Sequence, residues 1–412
     1  MKILYNIAMC LYRFAIAIAA VFRPNIRLMY HGENEAIKRI TAFRVEHCND
    51  KVVWVHAASL GEFEQGRPVI ERIKAKYPNC RVVLSFFSPS GYEVRKHYDK
   101  ADIVVYLPID TPRQSRKFVA ALKPDFAIFV KYEFWLNFLA QLRKQQTPTF
   151  LISAIFRTSQ PFFRWYGRIF RQCLSTFHTI YLQNEESKLL LSSIGVSNTQ
   201  VVGDTRFDRV ADIASAAKQL PIVDAFAAGH KVIVVGSSWS PDEQLLLPYI
   251  NANAGKCRMI IAPHHVEPQR IKEITAALTC RYALYTDTTT EEAATADCLI
   301  INTIGLLSSV YQYGQVAYIG GGFGVGIHNT LEAAVWGMPV VFGTNYQRFQ
   351  EACQLIDCGA ARSISSEKEC SEALNNYLYN DAEAAHRAGQ YVKAHTGASD
   401  KIFADFTALF TK

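Results

Sequence analysis

Short apolar runs alternate with amphipathic stretches along most of the 412-residue chain. In the first half, apolar runs of strand length lie at residues 52–56, 82–87, 103–106, 126–130, 149–152, 180–183 and 201–203. Helical periodicity separates several of these runs, at residues 66–76, 115–122 and 135–142. Continuous apolar strands that alternate with helices predict a parallel sheet buried on both faces.

The alternation restarts after residue 231. Its apolar runs lie at residues 232–235, 258–262, 283–285, 298–301, 316–319 and 340–342. Residues 206–230 between the two halves are rich in alanine and contain Pro221, which is typical of a linker. A single core seldom grows beyond about 250–300 residues. We therefore expect two α/β domains, at residues 31–205 and 231–412, with the last helix packing back on the first domain.

Residues 7–22 are apolar except for Arg13 and are flanked by Lys2, Arg23 and Arg27. A charged residue in the middle of the segment makes a full membrane span costly. We expect residues 1–30 to form a membrane-associated helix, either lying in the interface or acting as a short anchor. A core helix of the first domain is the alternative.

Composition narrows the chemistry only a little. The ten cysteines include no CxxC pair, so neither a zinc site nor a disulfide framework is indicated. A net charge of +7 suits a nucleic acid, an acidic substrate or an anionic membrane surface, and by itself it does not decide among them.

Residues 318–347 have the pattern strand, glycine loop, helix, strand. Five glycines precede His328 and Asn329, and a helical pattern begins at Thr330. Glycine allows positive φ and a close approach to a ligand, and a helix N-terminus favours an anion. The alternative is a tight turn without a ligand.

Polar residues cluster after the predicted strands, where open parallel sheets bind their ligands. After the first strand come Ser59, Gly61 and Glu62. Gly61 would permit a sharp turn, and Glu62 would lie at a helix N-terminus, as either a general base or a capping carboxylate. The helix dipole and N–H contacts would keep Glu62 ionised.

Two further groups follow strands of the first half. Ser88 and Arg95 form either an anion-accepting turn or a simple helix start. Glu133 follows residues 126–130, where it would contact a substrate hydroxyl or amine.

In the second half, hydroxyls and backbone N–H groups in successive loops suit a phosphate. These candidates are Ser237, Ser238, Pro263, His264, Gly324 and Gly326. Gly305 would offer backbone contacts to a base, while Glu332 would bind ribose hydroxyls or cap its helix. Neighbouring His264 and His265 diverge, so a shared metal is not indicated. The glycine run matches neither a dinucleotide-binding fingerprint nor a P-loop. Together these residues predict group transfer from an activated phosphate donor.

Eight segments in order resemble the 3-deoxy-D-manno-octulosonic acid (Kdo) transferase family. Besides the apolar N-terminal segment they are HAASLGEF, SFFSPSGYE, KYEFW, VGSSW, IAPHH, NTIGLL and GGGFGVGIHNTLEAAVWGMPVVFG. The resemblance covers most of residues 50–360. It implies the GT-B fold, with two Rossmann-like domains facing a cleft, and an inverting transfer of Kdo from CMP-Kdo to the acylated disaccharide precursor of lipid A.

The resemblance also implies roles for particular residues. Glu62 matches the proposed general base and Glu133 a second acidic residue, while Ser59, Gly61, Ser88 and Arg95 are expected on the acceptor side. Donor-binding positions would include Ser237, Ser238, Pro263, His264, Gly305, Gly324, Gly326, His328, Asn329 and Glu332. No metal or other cofactor and no nucleic-acid partner is expected, and the enzyme would act at the cytoplasmic face of the inner membrane. His264 stands where the family often has a donor-phosphate arginine.

Two rival functions remain open from the sequence. One is another GT-B enzyme of nucleotide sugars, such as an epimerase or a UDP-sugar transferase. The other is an inactive nucleotide-sugar-binding protein, since several carboxylates of the family pattern are replaced in this chain.

Overall fold

The computed structural model describes residues 2–410. Two compact units divide the chain: unit 1 contains residues 1–209 and 397–412, and unit 2 contains Val210–Thr396. Each unit is built on a seven-stranded sheet in which every pairing is parallel. The predicted α/β class with two parallel sheets is therefore confirmed.

The sheet of unit 1 has the strand order β3-β2-β1-β4-β5-β6-β7. Its strands are β1 (Val52–Ala57), β2 (Arg81–Phe86), β3 (Ile103–Tyr106), β4 (Phe126–Val130), β5 (Thr149–Ala154), β6 (Thr179–Leu182) and β7 (Thr199–Val201). The central strands β1, β4 and β5 are buried at every position, as their apolar sequences predict.

The helices of unit 1 cover both faces of this sheet. They are α1 (Lys2–Phe22), α2 (Pro24–Glu46), α3 (Leu60–Lys76), α4 (Pro89–Arg95), α5 (Pro112–Leu122), α6 (Leu136–Lys144), α7 (Arg168–Leu174), α8 (Glu185–Ser192) and α19 (Ala398–Phe410), with a 3-10 turn at Pro161–Phe163. Phe406 of α19 packs against Phe126 and Phe150, with ring centroids 5.6 and 4.7 Å apart. The carboxylate of Asp208 accepts hydrogen bonds from the backbone N–H groups of Gly397 and Ser399, which fixes the start of α19.

The sheet of unit 2 has the order β10-β11-β9-β8-β12-β13-β14. Its strands are β8 (Val232–Ser238), β9 (Arg258–Pro263), β10 (Tyr282–Leu284), β11 (Cys298–Ile300), β12 (Val316–Ile319), β13 (Val340–Phe342) and β14 (Ala361–Ser363).

The helices that follow α8 and precede α19 are α9 (Thr205–Ser215), α10 (Pro221–Ala227), α11 (Ser240–Ala252), α12 (Pro268–Ala277), α13 (Thr290–Ala293), α14 (Leu307–Val310), α15 (Leu331–Ala334), α16 (Gln350–Asp357), α17 (Glu367–Asn375) and α18 (Glu383–His395). Shorter 3-10 turns lie at Tyr285–Asp287 and Tyr311–Tyr313, and Asn376–Asn380 form a π-helix. The stretch 206–230, expected as a linker, is largely helical in α9 and α10.

Two local expectations differ from the structure. The apolar N-terminal segment continues into a second helix, because Pro24 suits the first position of a new helix and α2 restarts directly after Arg23. The helix expected after Thr330 is a single turn, α15, which contributes little of the aligned dipole expected there.

Candidate functional site

In unit 1, the strand order reverses between β1 and β4, which is where doubly wound sheets bind their ligands. Helix α3, which follows β1, carries Glu62 in its first turn, and the loop after β4 contains Glu133. In the loop after β4, Lys131 adopts a left-handed backbone with φ of 67°. Such outliers in non-glycine residues concentrate at functional sites.

Glu62 lies half-buried in the first turn of α3, and its Oε2 accepts a hydrogen bond of 2.6 Å from the Ala58 N–H. Burial and the neighbouring carboxylate of Glu133 raise the pKa of Glu62 to about 7, against this hydrogen bond and the charges of His56 and Lys131. The expectation that the helix terminus keeps Glu62 fully ionised is wrong, because desolvation outweighs the single N–H contact. A pKa near neutrality suits a general base.

Glu133 is buried and belongs to a hydrogen-bonded group. Its Oε2 lies 3.0 Å from Nε2 of His56 and accepts a 2.5 Å hydrogen bond from the indole of Trp135. On the other side of the ring, Nδ1 of His56 lies 2.9 Å from Oγ of Ser85. The register of the sheet explains the arrangement, because His56 pairs with Ser85 on β2 and with Phe129 on β4. Glu133 is thus held in place beside Glu62.

The predicted acceptor-side residues lie at the same sheet edge, mostly in capping roles. Ser59 caps α3 through a 3.5 Å contact with the Glu62 N–H, and Ser88 caps α4 by accepting from Ser90. Arg95 donates a 2.7 Å hydrogen bond to Glu64 and so is already paired with a carboxylate. Gly61 has no positive φ, and a Cβ there would meet nothing within 4 Å. The sharp turn expected at Gly61 is therefore not formed, and the space beside it is open.

Replacing Glu133 with glutamine is expected to lower the pKa of Glu62, because one of the two causes that raise it is removed. In a plot of kcat/KM against pH, the limb that rises with pH would then move to lower pH. Glu71→Gln is the control, since Glu71 lies further along α3 and pairs with Arg67 at 2.7 Å. A limb that stays in place in Glu133→Gln would show that Glu133 does not act on the titrating group.

In unit 2, the sheet order reverses between β8 and β12, and the glycine loop (residues 320–326) follows β12. Close packing accounts for its first members: a Cβ on Gly320 would lie 2.2 Å from the Ser237 carbonyl oxygen, and one on Gly322 would lie 2.5 Å from Gly343 N. Gly324 differs, because a Cβ there would meet nothing. Gly326 has φ of 108°. Some glycines of the loop are therefore required by close packing, and Gly324 lies on an open surface.

Asp242 of α11 fastens the glycine loop to the rest of the sheet edge. Its carboxylate accepts hydrogen bonds of 2.9 Å from the Gly321 N–H, the Trp239 N–H and the Tyr318 hydroxyl. Asp242 is buried, and that burial raises its pKa although the three donors oppose the shift. Sequence reasoning missed Asp242, although its place in the first turn of a predicted βα unit was a usable signal.

Three aromatic rings stack at the carboxyl edge of unit 2. Trp239 lies over His264 with centroids 4.5 Å apart, and His264 lies 4.7 Å from His328. The indole N–H of Trp239 donates to Nε2 of His328 at 3.2 Å. Desolvation and mutual repulsion with other imidazoles lower the pKa of both histidines. His264 and His328 therefore meet at neutral pH as uncharged rings.

The remaining predicted donor residues have mixed surroundings. Ser237 has a left-handed φ of 53°, whereas buried Ser238 donates its hydroxyl to Glu243 at 2.7 Å. Pro263 is buried at the end of β9. Three others, Gly305, Asn329 and Glu332, lie on the more accessible rim. Gly305 has φ of 88°, and the side-chain amide of Asn329 donates to Glu332 at 3.0 Å.

A cation missed by sequence reasoning lies against the glycine loop. The guanidinium of Arg348 donates to the Val325 carbonyl and occupies the space where a Gly326 Cβ would lie. Arg270, a basic residue six positions after His264 in the sequence, is bound to Glu243 and Glu273. Arg348 is therefore the better placed of the two to meet an anion at the loop.

Within residues 2–410, no three His, Cys, Asp or Glu side chains are grouped in a way that would hold a metal ion. The same part of the chain has one helix, α1, that is long and apolar enough to cross a membrane. Length and composition alone are weak evidence for a span, since signal sequences have the same character.

Comparisons with known proteins agree with this architecture. A family model described as 3-deoxy-D-manno-octulosonic-acid transferase (kdotransferase) matches residues 34–209. The 3-deoxy-D-manno-octulosonic acid transferase of Bordetella pertussis is 29% identical over 374 residues, which cover 84% of this chain and 85% of the relative. That of Aquifex aeolicus (strain VF5) is 26% identical over 333 residues, covering 79% of this chain and 86% of the relative.

A solved structure, the UDP-GlcNAc 2-epimerase from Neisseria meningitidis bound to UDP-GlcNAc, superimposes with a TM-score of 0.62 over 87% of this chain and 99% of the epimerase. At 16% identity, this likeness shows the fold alone. Two α/β units, each with a parallel sheet, together with these relatives define a glycosyltransferase of the GT-B fold class. More specifically, the matching family model and both relatives are 3-deoxy-D-manno-octulosonic acid (Kdo) transferases, which confirms the resemblance seen in the sequence.

Proposed function

We propose that this protein is an inverting glycosyltransferase that moves Kdo from CMP-Kdo to a hydroxyl of the acylated disaccharide precursor of lipid A. The observation that carries the proposal is Glu62, a half-buried carboxylate with a pKa near 7 at the switch point of unit 1. It lies within the part of the chain that matches the Kdo transferase family model.

In the proposed reaction, the acceptor hydroxyl oxygen forms a bond to the anomeric carbon of Kdo as that carbon's bond to the phosphate oxygen breaks. The electron pair of the broken bond leaves with CMP, and the hydroxyl proton passes to Glu62. Glu133, held by His56 and Trp135, keeps the pKa of Glu62 high enough to accept that proton. The proposal includes no metal or other cofactor.

Unit 2 would bind the donor through the glycine loop, His264, His328 and Arg348. Backbone N–H groups and a guanidinium stabilise the negative charge that develops on the leaving phosphate. Because His264 and His328 are neutral, they would act as hydrogen-bonding and stacking groups rather than as cations.

Replacing Arg348 with alanine is expected to raise the KM for CMP-Kdo by roughly 10- to 100-fold, the scale of one hydrogen bond to a charged group. One bond to Val325 does not saturate a guanidinium, which has five N–H donors. Initial rates against donor concentration measure the effect. Arg362→Ala is the matched control, because Arg362 on β14 pairs with Glu372 on α17 and not with the glycine loop. An unchanged donor KM in Arg348→Ala would remove Arg348 from the donor site.

The surroundings of α1 favour a helix lying in the membrane interface. Its polar side chains bond to the body of unit 1: Tyr5 to Asp110 at 2.6 Å, and Asn6 to Asn137 at 2.9 Å. The opposite face exposes eight apolar residues, Ile3, Leu4, Ile7, Leu11, Phe14, Ile18, Val21 and Phe22. We infer that this face meets the cytoplasmic side of the inner membrane. Flotation of the full chain with phosphatidylglycerol vesicles tests this, and binding that survives Leu11→Asp with Phe14→Asp would contradict it.

The decisive test of the function is incubation with CMP-Kdo, generated in situ, and the acylated disaccharide acceptor, followed by mass spectrometry of the lipid. We expect a mass increment equal to one or more Kdo residues, which also counts the sugars added. Glu62→Gln serves as the inactive control.

Two other outcomes would each select a rival. Interconversion of UDP-GlcNAc by the protein, without any Kdo transfer, would indicate an epimerase. Donor binding without transfer, unaffected by Glu62→Gln, would indicate a binding protein.

A further inference from the structure

An apolar cavity of about 430 Å³ opens in unit 1 directly beside Glu133. Three segments that are distant in sequence form its walls: α1, the loop after β4, and residues 160–170. Their main contributions are Tyr5, Met9, Glu133, Trp135, Phe162 and Phe170. A volume of this size lies within the range of small-molecule sites, and the lining is of the mainly apolar kind that such sites have.

Three polar groups of the cavity wall already have partners. The hydroxyl of Tyr5 donates to Asp110, and the carboxylate of Glu133 is bound by His56 and Trp135. The side-chain oxygen of Gln160 accepts a 3.1 Å hydrogen bond from the Arg157 N–H. A ligand rich in polar groups would bury them against aromatic rings, which is unfavourable. The lining therefore selects a hydrocarbon group.

The position of the cavity indicates where such a group comes from. The same helix, α1, supplies one wall and carries the exposed apolar face described above. Between Phe162 and Phe170 in the sequence, Trp165 is 92% exposed and packs edge-on against Tyr166. Exposed tryptophan and tyrosine are typical of proteins at the membrane interface. The cavity is thus bounded by the elements that would meet a lipid surface.

We propose that this cavity, the acyl pocket, binds one acyl chain of the lipid acceptor and thereby positions the acceptor's sugar hydroxyl for Glu62. The identity of the acceptor rests on the proposed function, whereas the apolar character of the pocket does not. Glu133 links the two sites, because it lines the pocket and its charge acts on Glu62.

The first test uses disaccharide acceptors with acyl chains short enough to stay monomeric in solution. For the wild-type chain, each additional buried methylene is expected to lower the acceptor KM about fourfold, which corresponds to about 0.8 kcal/mol. Met9→Trp narrows the pocket, so it should raise the KM of acylated acceptors at least tenfold more than that of the deacylated disaccharide. Val45→Trp, at a 76% exposed position on α2, is the size-matched control and should leave both unchanged.

A second variant acts in the opposite direction. Phe170→Ala enlarges the pocket from its other wall, and we expect the preferred acyl chain to become longer. An equal effect of Met9→Trp on acylated and deacylated acceptors, or no effect on either, would overturn the proposal.

The second test does not depend on transfer. The full chain is placed in vesicles of phosphatidylethanolamine and phosphatidylglycerol with a fatty acid bearing a terminal diazirine, and cross-linked peptides are mapped by mass spectrometry. We expect labelling of residues 132–135 and 160–170 that is lost in Met9→Trp. Labelling confined to the exposed face of α1 would overturn the acyl pocket.

The two tests separate the possible failures. Absence of Kdo transfer with every acceptor, together with pocket labelling, would refute the proposed function and leave a hydrocarbon-binding pocket. Pocket labelling with transfer that is indifferent to acceptor acylation would assign the pocket to bulk membrane lipid, which contradicts the proposal.

Discussion

Replacing Glu62 with glutamine is expected to lower kcat for Kdo transfer by roughly 10²-fold or more, the scale of a general base. Glutamine is similar in size and still accepts the hydrogen bond from the Ala58 N–H, so the start of α3 should be preserved. Because Glu62 must lose its proton to act, wild-type kcat/KM should rise with pH through about 7. That limb should be absent from the residual activity of the variant.

Two controls distinguish the loss of a catalytic group from a loss of folded structure in Glu62→Gln. Glu71→Gln removes a carboxylate from the same helix and should retain activity. Thermal unfolding of Glu62→Gln should match that of the wild type within a few degrees. Activity of Glu62→Gln within threefold of the wild type would mean that another group accepts the acceptor proton.

The strands were predictable from sequence because parallel sheets bury both faces of their central strands. Residues 126–130 and 316–319, for example, are apolar throughout and form β4 and β12 with those bounds. The single-turn length of α15 was not predictable in the same way. Gly337 and Pro339 mark the end of the helical pattern that contains Leu331–Ala334, but the helix ends earlier, with its C-cap at Val335.

The electrostatics of the candidate site could not be read from the chain. Glu62 and Glu133 are separated by three strands in sequence, and only the pairing of β1 with β4 brings the segments after these two strands together. A local pattern shows the helix N-terminus at Glu62, which predicts an ionised group. It does not show the burial of Glu62 or the neighbouring carboxylate of Glu133, which together raise the pKa of Glu62 instead of lowering it.

The glycine loop illustrates a different limit. Five glycines in seven residues predicted a ligand cradle, yet Gly320 and Gly322 are required by the close approach of Ser237 and Gly343. Sequence alone does not distinguish a glycine that admits a ligand from one that admits a neighbouring strand. Gly324 faces open space, so it is the position at which the loop could still admit a ligand.

Replacing Asp242 with alanine is expected to destabilise unit 2 by about 3–5 kcal/mol, since it leaves the buried Tyr318 hydroxyl and the Gly321 N–H without an acceptor. The same change frees the glycine loop and the backbone of Trp239, so donor affinity should fall with stability. Chemical denaturation measures the first effect. Hydrogen exchange of a peptide covering residues 316–326 measures the release of the glycine loop, and we expect faster exchange there.

A double-mutant cycle with Tyr318→Phe separates the unpaired hydroxyl from the loss of the carboxylate. Tyr318→Phe alone should destabilise by about 1 kcal/mol, because one neutral donor is lost and Asp242 keeps its two backbone bonds. Once the hydroxyl is absent, Asp242→Ala leaves one fewer buried group unpaired. The double variant should therefore be more stable than the sum of the single effects by about 1–2 kcal/mol. Strict additivity would mean that another acceptor, such as water, replaces Asp242 at the Tyr318 hydroxyl.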